Sequence, residues 1–290
     1  MSVTPELHLP LPVTELLPHR GGLLLLDELA EASPDWARSS LIVAPDGLFI
    51  DDAGELEPTT LVECLAQLVA ALRGYVAKCK GEEPHLGFLV GVRDFTIAGA
   101  ARVGDRLGLE LKEVAAVGKS SVTECSVKRD GQLLAAGMLK LWEEEGPPPG
   151  VELDFSSQDF EVNKFQRGAI AQALEADVQL QQRGEDWLEG ELPLADSFPG
   201  FAGHFPGFPI LPGVILLQLG SWLLKCAVAP ELKVSAVEQA KFSRQVFPGD
   251  KLRARIGYER QDDDWRAQVK VMREGAKIAT MTLRAGDSAA

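Results

Sequence analysis

The sequence predicts an α+β protein of two tandem domains with the same architecture, each an antiparallel sheet wrapped around one long central helix. Three observations support this prediction. A run of acidic, proline and glycine residues divides the 290-residue chain near its middle. Each half contains one long apolar segment, and each half then continues as strands joined by tight turns. We expect the two domains to pair within the chain as a pseudo-dimer.

The division falls at residues 143–150, which read EEEGPPPG. Three like charges followed by a Pro-Gly cluster are not compatible with a packed element. We therefore predict an N-terminal domain over residues 1–145, a linker over residues 146–150 and a C-terminal domain over residues 151–290.

The two halves repeat the same order of elements. An apolar helix is predicted at residues 61–76 and another at 214–227, and the second is apolar on nearly all faces, so it must be enclosed. Strands are predicted at 107–114, 120–127 and 133–141 in the first half and at 252–258, 265–272 and 277–283 in the second. The pairs Asp130-Gly131 and Glu274-Gly275 are predicted hairpin turns. Two unrelated α+β domains are the alternative.

Composition narrows the classes of function. The chain is 46% hydrophobic and 25% charged, which is typical of a soluble globular protein. A net charge of −14 argues against nucleic acid and against anionic membranes as partners. The first residues lack a basic segment followed by an apolar core, and uninterrupted apolar runs are far shorter than the ~20 residues of a membrane span. We expect a cytoplasmic protein.

The most distinctive stretch is residues 201–213, FAGHFPGFPILPG. Its prolines fix φ, and its glycines permit φ values that other residues rarely adopt. We therefore expect the loop around His204 to be stiff. The loop leads into the second apolar helix, whose first amides, at Gly213 and Val214, lack intrahelical acceptors. A histidine offers a base near neutral pH, and free amides donate to a developing oxyanion. These features suit action on an acyl carbonyl compound. The alternative is a histidine that only hydrogen-bonds within a tight turn.

The segment from Gly203 to Gly213 resembles the motif of the hotdog-fold 3-hydroxyacyl-[acyl-carrier-protein] dehydratases, and a sheet curled around one helix is the hotdog fold. The likeness of fold covers most of the chain, whereas the sharp motif occurs only in the second half. The resemblance implies a histidine as base and an acidic residue fourteen positions later, on the central helix, as acid. In this fold two subunits pair, so each site takes its base from one subunit and its acid from the other.

Each half carries the residue that the other lacks. Fourteen positions after His204 stands Gln218, whose amide cannot deliver a proton at neutral pH. In the first half, residues 62–67, VECLAQ, resemble the family's Glu-x-x-Ala-Gln helix and supply Glu63, whereas Phe49 stands where the histidine would be. Pairing of the halves predicts one composite site of His204 and Glu63 and one inactive site that faces Phe49 and Gln218.

Glu63 has a structural alternative, because Thr60-x-x-Glu63 is also a capping-box pattern. Glu63 and Gln67 nevertheless share one face of an apolar helix, where a buried polar pair is costly unless it faces a site. An apolar pocket would raise the pKa of Glu63 and keep it protonated as an acid. His19 lies in the segment LPHR, residues 17–20, which resembles the opening of many such dehydratases. We expect His19 to be structural or to shape the substrate entrance.

The backbone amide of Gly213, with Val214 beside it, is the predicted oxyanion donor. The predicted substrate-binding residues are Phe205, Phe208, Ile210, Val214 and Gln67, with simple loop packing as the alternative for the first three. The sequence has no phosphate loop, no nucleotide-binding glycine motif and no metal-ligand spacing among its four cysteines, so we expect no cofactor and no metal.

The acyl group would arrive on acyl carrier protein or on coenzyme A, both of which are anionic. A local basic rim is then needed on this acidic protein, and Lys241, Arg244 and Lys251 are candidates, with scattered surface charge as the alternative. Internal pairing satisfies the dimer interface and is compatible with a monomer. The leading hypothesis is a dehydratase that forms trans-2-enoyl thioesters in fatty-acid or polyketide biosynthesis. A hotdog acyl thioesterase and a non-catalytic acyl-binding or scaffold partner of a synthase are the alternatives.

Overall fold

The computed structural model describes residues 7–144 and 167–286. The predicted linker at 146–150 lies outside the described residues, so the domain boundaries stay predictions. Each described part contains one long buried helix and six strands of a shared antiparallel sheet, which confirms the predicted fold class.

In the first half the long helix, α1, spans Thr60–Cys79, and short 3₁₀ helices cover Val13–Glu15 and Gly21–Leu23. The strands are β1 (Leu11–Pro12), β2 (Glu28–Leu29), β3 (Glu31–Ser33), β4 (Trp36–Ile42), β5 (Leu86–Ile97), β6 (Arg106–Val117), β7 (Ser120–Arg129) and β8 (Gln132–Glu144). The predicted helix and the three predicted strands are confirmed as α1, β6, β7 and β8, and each is somewhat longer than predicted.

The second half begins with a short helix, α2 (Ala169–Asp177), and its long helix, α3, spans Gly213–Ala227 after a 3₁₀ helix at Pro199–Phe201. The strands are β9 (Gln179–Arg183), β10 (Trp187–Pro193), β11 (Lys233–Phe242), β12 (Lys251–Gln261), β13 (Asp264–Arg273) and β14 (Ala276–Gly286). The predicted helix and strands are again confirmed, as α3, β12, β13 and β14.

The two predicted hairpin turns are confirmed by their backbone angles. Asp130 and Gly131 have φ of 51° and 78°, and Glu274 and Gly275 have φ of 49° and 80°. Positive φ at both central residues defines a type I′ turn, whose twist matches that of the flanking strands. The turns therefore set the registers of β7 with β8 and of β13 with β14.

The two halves form one continuous sheet of twelve strands. Its order is β3-β4-β6-β7-β8-β5-β11-β14-β13-β12-β10-β9. The six strands of each half are therefore arranged in the same order from the edge of the sheet to its centre. The halves meet where β5 pairs antiparallel with β11, with Val92 opposite Ala240 and Phe95 opposite Val237. This arrangement is the predicted internal pseudo-dimer, and it places the two central helices side by side.

Helices α1 and α3 contact each other inside the curved sheet. Leu65 and Leu68 on α1 and Ile215 on α3 are fully buried, and each such side chain contributes about 1.5–3 kcal/mol through removal from water. A hydrogen bond crosses between the helices, from Gln218 Nε2 to Thr60 Oγ1 at 3.3 Å. The packing of the two helices thus fixes where their first turns lie relative to each other.

Helix α1 is also long and apolar enough to cross a membrane, by length and composition, and it is the one such helix in residues 7–144 and 167–286. The count of uninterrupted apolar runs missed it because polar residues such as Glu63 and Gln67 interrupt the segment. In the structure 72% of its most apolar window is buried inside the protein, as in a core helix.

Candidate active site

The loop that carries His204 is attached to the first half through the backbone. The amide of Arg20 donates to the carbonyl of Gly203 at 3.0 Å. Gly203 has φ of +90°, and a Cβ at this position would overlap the carbonyl oxygen of Arg20. The guanidinium of Arg20 donates to the carbonyls of Leu17 and Thr14, which fixes the segment 17–20 in place. This contact brings His19 next to His204.

The protonation of His204 follows from its hydrogen bond. Its Nδ1 lies 2.9 Å from the carbonyl oxygen of Ile210, and a carbonyl only accepts, so Nδ1 carries the proton and Nε2 carries the lone pair. The ring stacks on Phe205 with centroids 4.2 Å apart, and the peptide bond between these two residues is cis. Burial lowers the pKa of His204 to about 4. At neutral pH the side chain is therefore an uncharged base.

Glu63 lies in the first turn of α1 and is 4% exposed. Its Oε1 accepts a hydrogen bond from Gln67 Nε2 at 3.0 Å. The capping-box alternative is wrong, because the residue that caps α1 is Thr59 and it makes no side-chain capping bond. Burial raises the pKa of Glu63, and the hydrogen bond from Gln67 offsets part of this rise. Burial thus stabilises the protonated form of the carboxyl group, which an acid requires, relative to that of an exposed glutamate.

His19 lies between the two predicted groups. Its Nε2 is 3.7 Å from Glu63 Oε1, and its ring centroid is 5.1 Å from that of His204. Burial, together with the nearby His204 and Arg20, holds the pKa of His19 well below its usual range. One nitrogen or oxygen atom from each of His19, Glu63 and His204 lies within 4.8 Å of the other two. The structure therefore brings the second-half histidine and the first-half carboxyl together, and it adds His19, which we expected to be structural or to shape the substrate entrance.

These three side chains line a cavity of about 510 Å³, together with Gly213. Most of the remaining wall is apolar and includes Ala66, Ala70, Leu211, Leu216 and Phe242. Gly213 is the first residue of α3, where a backbone amide has no intrahelical acceptor, and it lines the cavity. Exposed Trp142 and Arg244 line the same cavity, which connects the buried groups to the surface.

Only one of the five predicted substrate-binding residues, Ile210, is among the residues that line this cavity. Phe205 and Phe208 pack behind it in a small cluster with Leu86. Val214 is fully buried in the main core.

Gln67 is 1% exposed, and its amide is used internally. Nε2 donates to the carbonyl of Leu23 at 2.7 Å and Oε1 accepts from the amide of Leu25 at 2.9 Å. Gln67 therefore links Glu63 to the segment that follows LPHR. In the structure it supports the carboxyl and does not face the cavity.

The counterpart site lacks both chemical groups. Phe49 is buried in the main core. Gln218 is 5% exposed, and its side chain is engaged with Thr60. The inactive site that faces Phe49 and Gln218 stays a prediction.

The two hotdog domains share one buried site, to which one domain contributes a histidine and the other a carboxyl group. The chain is therefore a double-hotdog protein with a composite site. Family models match both halves. A model described as ApeP dehydratase, ApeP-like, matches residues 11–149, and one described as ApeI dehydratase, ApeI-like, matches residues 180–281. The chain belongs to the hotdog-fold dehydratase family, with an ApeP-like half followed by an ApeI-like half.

Curated relatives match part of the chain. The 3-hydroxyacyl-[acyl-carrier-protein] dehydratase FabZ of Acidiphilium cryptum is 35% identical over 95 residues, which cover 29% of this chain and 58% of the relative. FabZ of Pelotomaculum thermopropionicum is 38% identical over 65 residues, which cover 20% of this chain and 46% of the relative. The chain thus spans about half the length of the curated relatives that it matches.

Solved structures resemble nearly the whole chain in fold. An oleoyl thioesterase, so described, from Lactobacillus plantarum has a TM-score of 0.61 at 10% identity, covering 90% of this chain and 99% of its own. The dehydratase domain of RzxB from Pseudomonas fluorescens has a TM-score of 0.53 at 15% identity, covering 92% and 99%. At these identities the comparison shows the double-hotdog fold alone, which dehydratases and thioesterases share.

Proposed function

We propose that the protein eliminates water from 3-hydroxyacyl thioesters to give trans-2-enoyl thioesters. The observation that carries the proposal is the convergence of an uncharged imidazole, His204, and a buried carboxyl with raised pKa, Glu63, on one cavity. Elimination needs a base and an acid of this kind on the same substrate. Fatty-acid or polyketide biosynthesis in the cytoplasm is the proposed setting.

The proton transfers follow from the two protonation states. Nε2 of His204 takes the proton from C2 of the substrate, and the electron pair of that C–H bond becomes the C2–C3 double bond. The C3–O bond breaks, and Glu63 gives its proton to the departing hydroxyl, which leaves as water. His204 is then protonated and Glu63 ionised, and proton exchange with solvent restores both.

The thioester oxygen gains negative charge as the C2 proton leaves. The free amide of Gly213, at the positive end of α3, is the proposed donor to this oxygen. The apolar wall around Leu216 and Phe242 would take the acyl chain. Phe205 and Phe208 support the shape of the loop from behind.

Acyl carrier protein is the proposed carrier, because both family models are dehydratases and the curated relatives act on carrier-linked substrates by name. Among the three predicted rim cations, Arg244 lines the cavity and makes no ion pair within the described residues. Lys251, by contrast, pairs with Glu191 at 2.6 Å. Since neither Lys241 nor Lys251 lines the cavity, Arg244 is the one of the three that we propose as a contact for a phosphate group on the carrier.

One assay separates this proposal from the two alternatives. The protein is incubated with 3-hydroxyacyl and 2-enoyl thioesters while enoyl absorbance and free thiol are recorded. Reversible hydration without thiol release supports the dehydratase, and thiol release alone supports a thioesterase. If neither occurs, and if Glu63→Gln and His204→Ala leave pathway output unchanged, a non-catalytic acyl-binding or scaffold role replaces the proposal.

A further inference from the structure

Three side chains around the cavity offer the donor atoms of a transition-metal site. They are two imidazoles, His19 and His204, and one carboxyl group, Glu63, each at most 8% exposed. A set of two histidines and one glutamate is a familiar ligand set for Zn²⁺, which keeps a fourth position for water or another ligand. The adjoining cavity leaves space for that fourth ligand.

The spacing of the donor atoms is close to what such an ion needs. Bonds of about 2.0–2.1 Å in tetrahedral geometry put the ligand atoms roughly 3.4 Å apart. His19 Nε2 and Glu63 Oε1 are already 3.7 Å apart. The atoms that the three residues offer all lie within 4.8 Å of one another, so side-chain movements of about 1 Å would close the set around an ion.

The state of His19 is an independent indication of a ligand. Its side chain is buried, and Nδ1 has no hydrogen-bond partner. Nε2 lies 3.7 Å from Glu63 Oε1, which is beyond hydrogen-bond distance. Buried polar groups without partners are few in native proteins and call for an explanation such as a water or an ion.

His204 is also prepared to be a ligand. Because Nδ1 donates to the carbonyl of Ile210, the lone pair of Nε2 is available, and the ring orientation is fixed. A hydrogen bond from the second ring nitrogen to a carbonyl is the usual support of a metal-bound histidine. Gln67 supports Glu63 in the same way.

We propose that His19, Glu63 and His204 form a binding site for a divalent transition-metal ion, with Zn²⁺ as the best-fitting ion, and that this ion competes with acyl substrates for the cavity. A bound ion would occupy the lone pair of His204 and the carboxylate of Glu63 together. The site would therefore be inhibitory. Its existence does not depend on the proposed dehydratase activity, since binding is measured without a substrate.

The test uses Co²⁺ as a coloured substitute for Zn²⁺. The full chain, treated with chelator and dialysed, is titrated with Co²⁺ while visible absorption is recorded, and then with Zn²⁺. We expect one Co²⁺ per chain, with the intense bands of a low-coordinate ion, displaced by Zn²⁺. Each of His19→Gln, Glu63→Gln and His204→Gln should weaken binding by more than about tenfold, as loss of a ligand requires.

A matched control and a second measurement keep the result clear. The other two histidines of the chain, His8 and His85, are exposed and outside the site, so the double variant His8→Ala/His85→Ala should bind as the original does. In the unsubstituted protein, Zn²⁺ should shift the ring ¹⁵N resonances of His19 and His204 and leave those of His8 and His85 in place. Absence of saturable binding, or binding that His19→Gln leaves unchanged, overturns the proposal.

Discussion

The backbone amide of Arg20 donates to the carbonyl of Gly203 at 3.0 Å, and this bond joins the segment that carries His19 to the loop that carries His204. The two segments belong to different halves of the chain. The close approach is possible because Gly203 has no side chain and adopts φ of +90°. The composite site therefore depends on one glycine as well as on the groups that line the cavity.

We expect Gly203→Ala to destabilise the protein by about 3 kcal/mol and to abolish activity, because the added methyl group meets the carbonyl of Arg20 in an unfavourable backbone conformation. Gly249 provides a matched control, since its φ is +84° and the space around its Cβ position is open. Gly249→Ala should cost only about 1 kcal/mol. Urea unfolding measures both, and equal losses would show that the contact with Arg20 is not the cause.

The proposed oxyanion donor can be removed without removing the helix. Gly213→Pro deletes the amide at the first helical position, which proline tolerates, and the preceding Pro212 has ψ of 142°, as a residue before proline requires. Gly213→Ala adds a Cβ against Phe242 and keeps the amide. We expect kcat of the proline variant to lie about 10²-fold below that of the alanine variant. Equal kcat values would exclude the amide of Gly213 as the donor.

The pH dependence of kcat/KM should be bell-shaped, with limbs that belong to the free enzyme. His204 acts as base only when neutral, so activity should fall as pH decreases toward its lowered pKa of about 4. Glu63 acts only when protonated, and its pKa is raised, so activity should fall as pH increases through that pKa. In Glu63→Gln the residual rate should lose the alkaline limb. An alkaline limb that persists in this variant would assign it to another group.

Local sequence patterns predicted much of the fold. The alternation in β6–β8 and β12–β14, and the glycines at Gly131 and Gly275, determine strands and turns through neighbours in sequence. The joining of β5 to β11 depends on contacts between residues far apart in the chain, such as Phe95 and Val237. No local pattern reports such a pairing, so the single twelve-stranded sheet was not predicted.

The candidate site shows the same limit. His204 and Glu63 were predicted from the resemblance to the dehydratase family, which implies a base and an acid fourteen positions apart, and from the assumption that the halves pair. His19 was given less weight because its place next to Glu63 follows from the bond between Arg20 and Gly203, a tertiary contact. The path of the rigid loop likewise decides that Phe205 packs behind the cavity.

The proposed carrier contact predicts a selective effect on substrate binding. Arg244→Ala should raise KM about tenfold for carrier-linked thioesters, through loss of a charge-assisted contact to phosphate, and should leave KM for short thioesters without a phosphate unchanged. Lys251→Ala is the control, because the charge of Lys251 is already paired with Glu191. Similar changes in KM for both substrate types would place Arg244 in the acyl channel and not at the carrier.

The predicted inactive site, which faces Phe49 and Gln218, allows a test of the composite arrangement. Catalysis in this arrangement needs an acid on α1, across from His204. A carboxyl group placed on α3 at position 218 would face Phe49, which is not a base, so it cannot restore activity. We expect the double variant Glu63→Gln/Gln218→Glu to be no more active than Glu63→Gln alone.

Gln218→Glu alone should keep the original activity per chain but lose about 1–3 kcal/mol of stability, since it places a carboxyl group in a buried position now hydrogen-bonded to Thr60. Rates on a 3-hydroxyacyl thioester and urea unfolding check both expectations. Recovery of activity in the double variant would mean that an acid on α3 can serve His204 from its own half, and the pairing between halves would then not be the basis of the site.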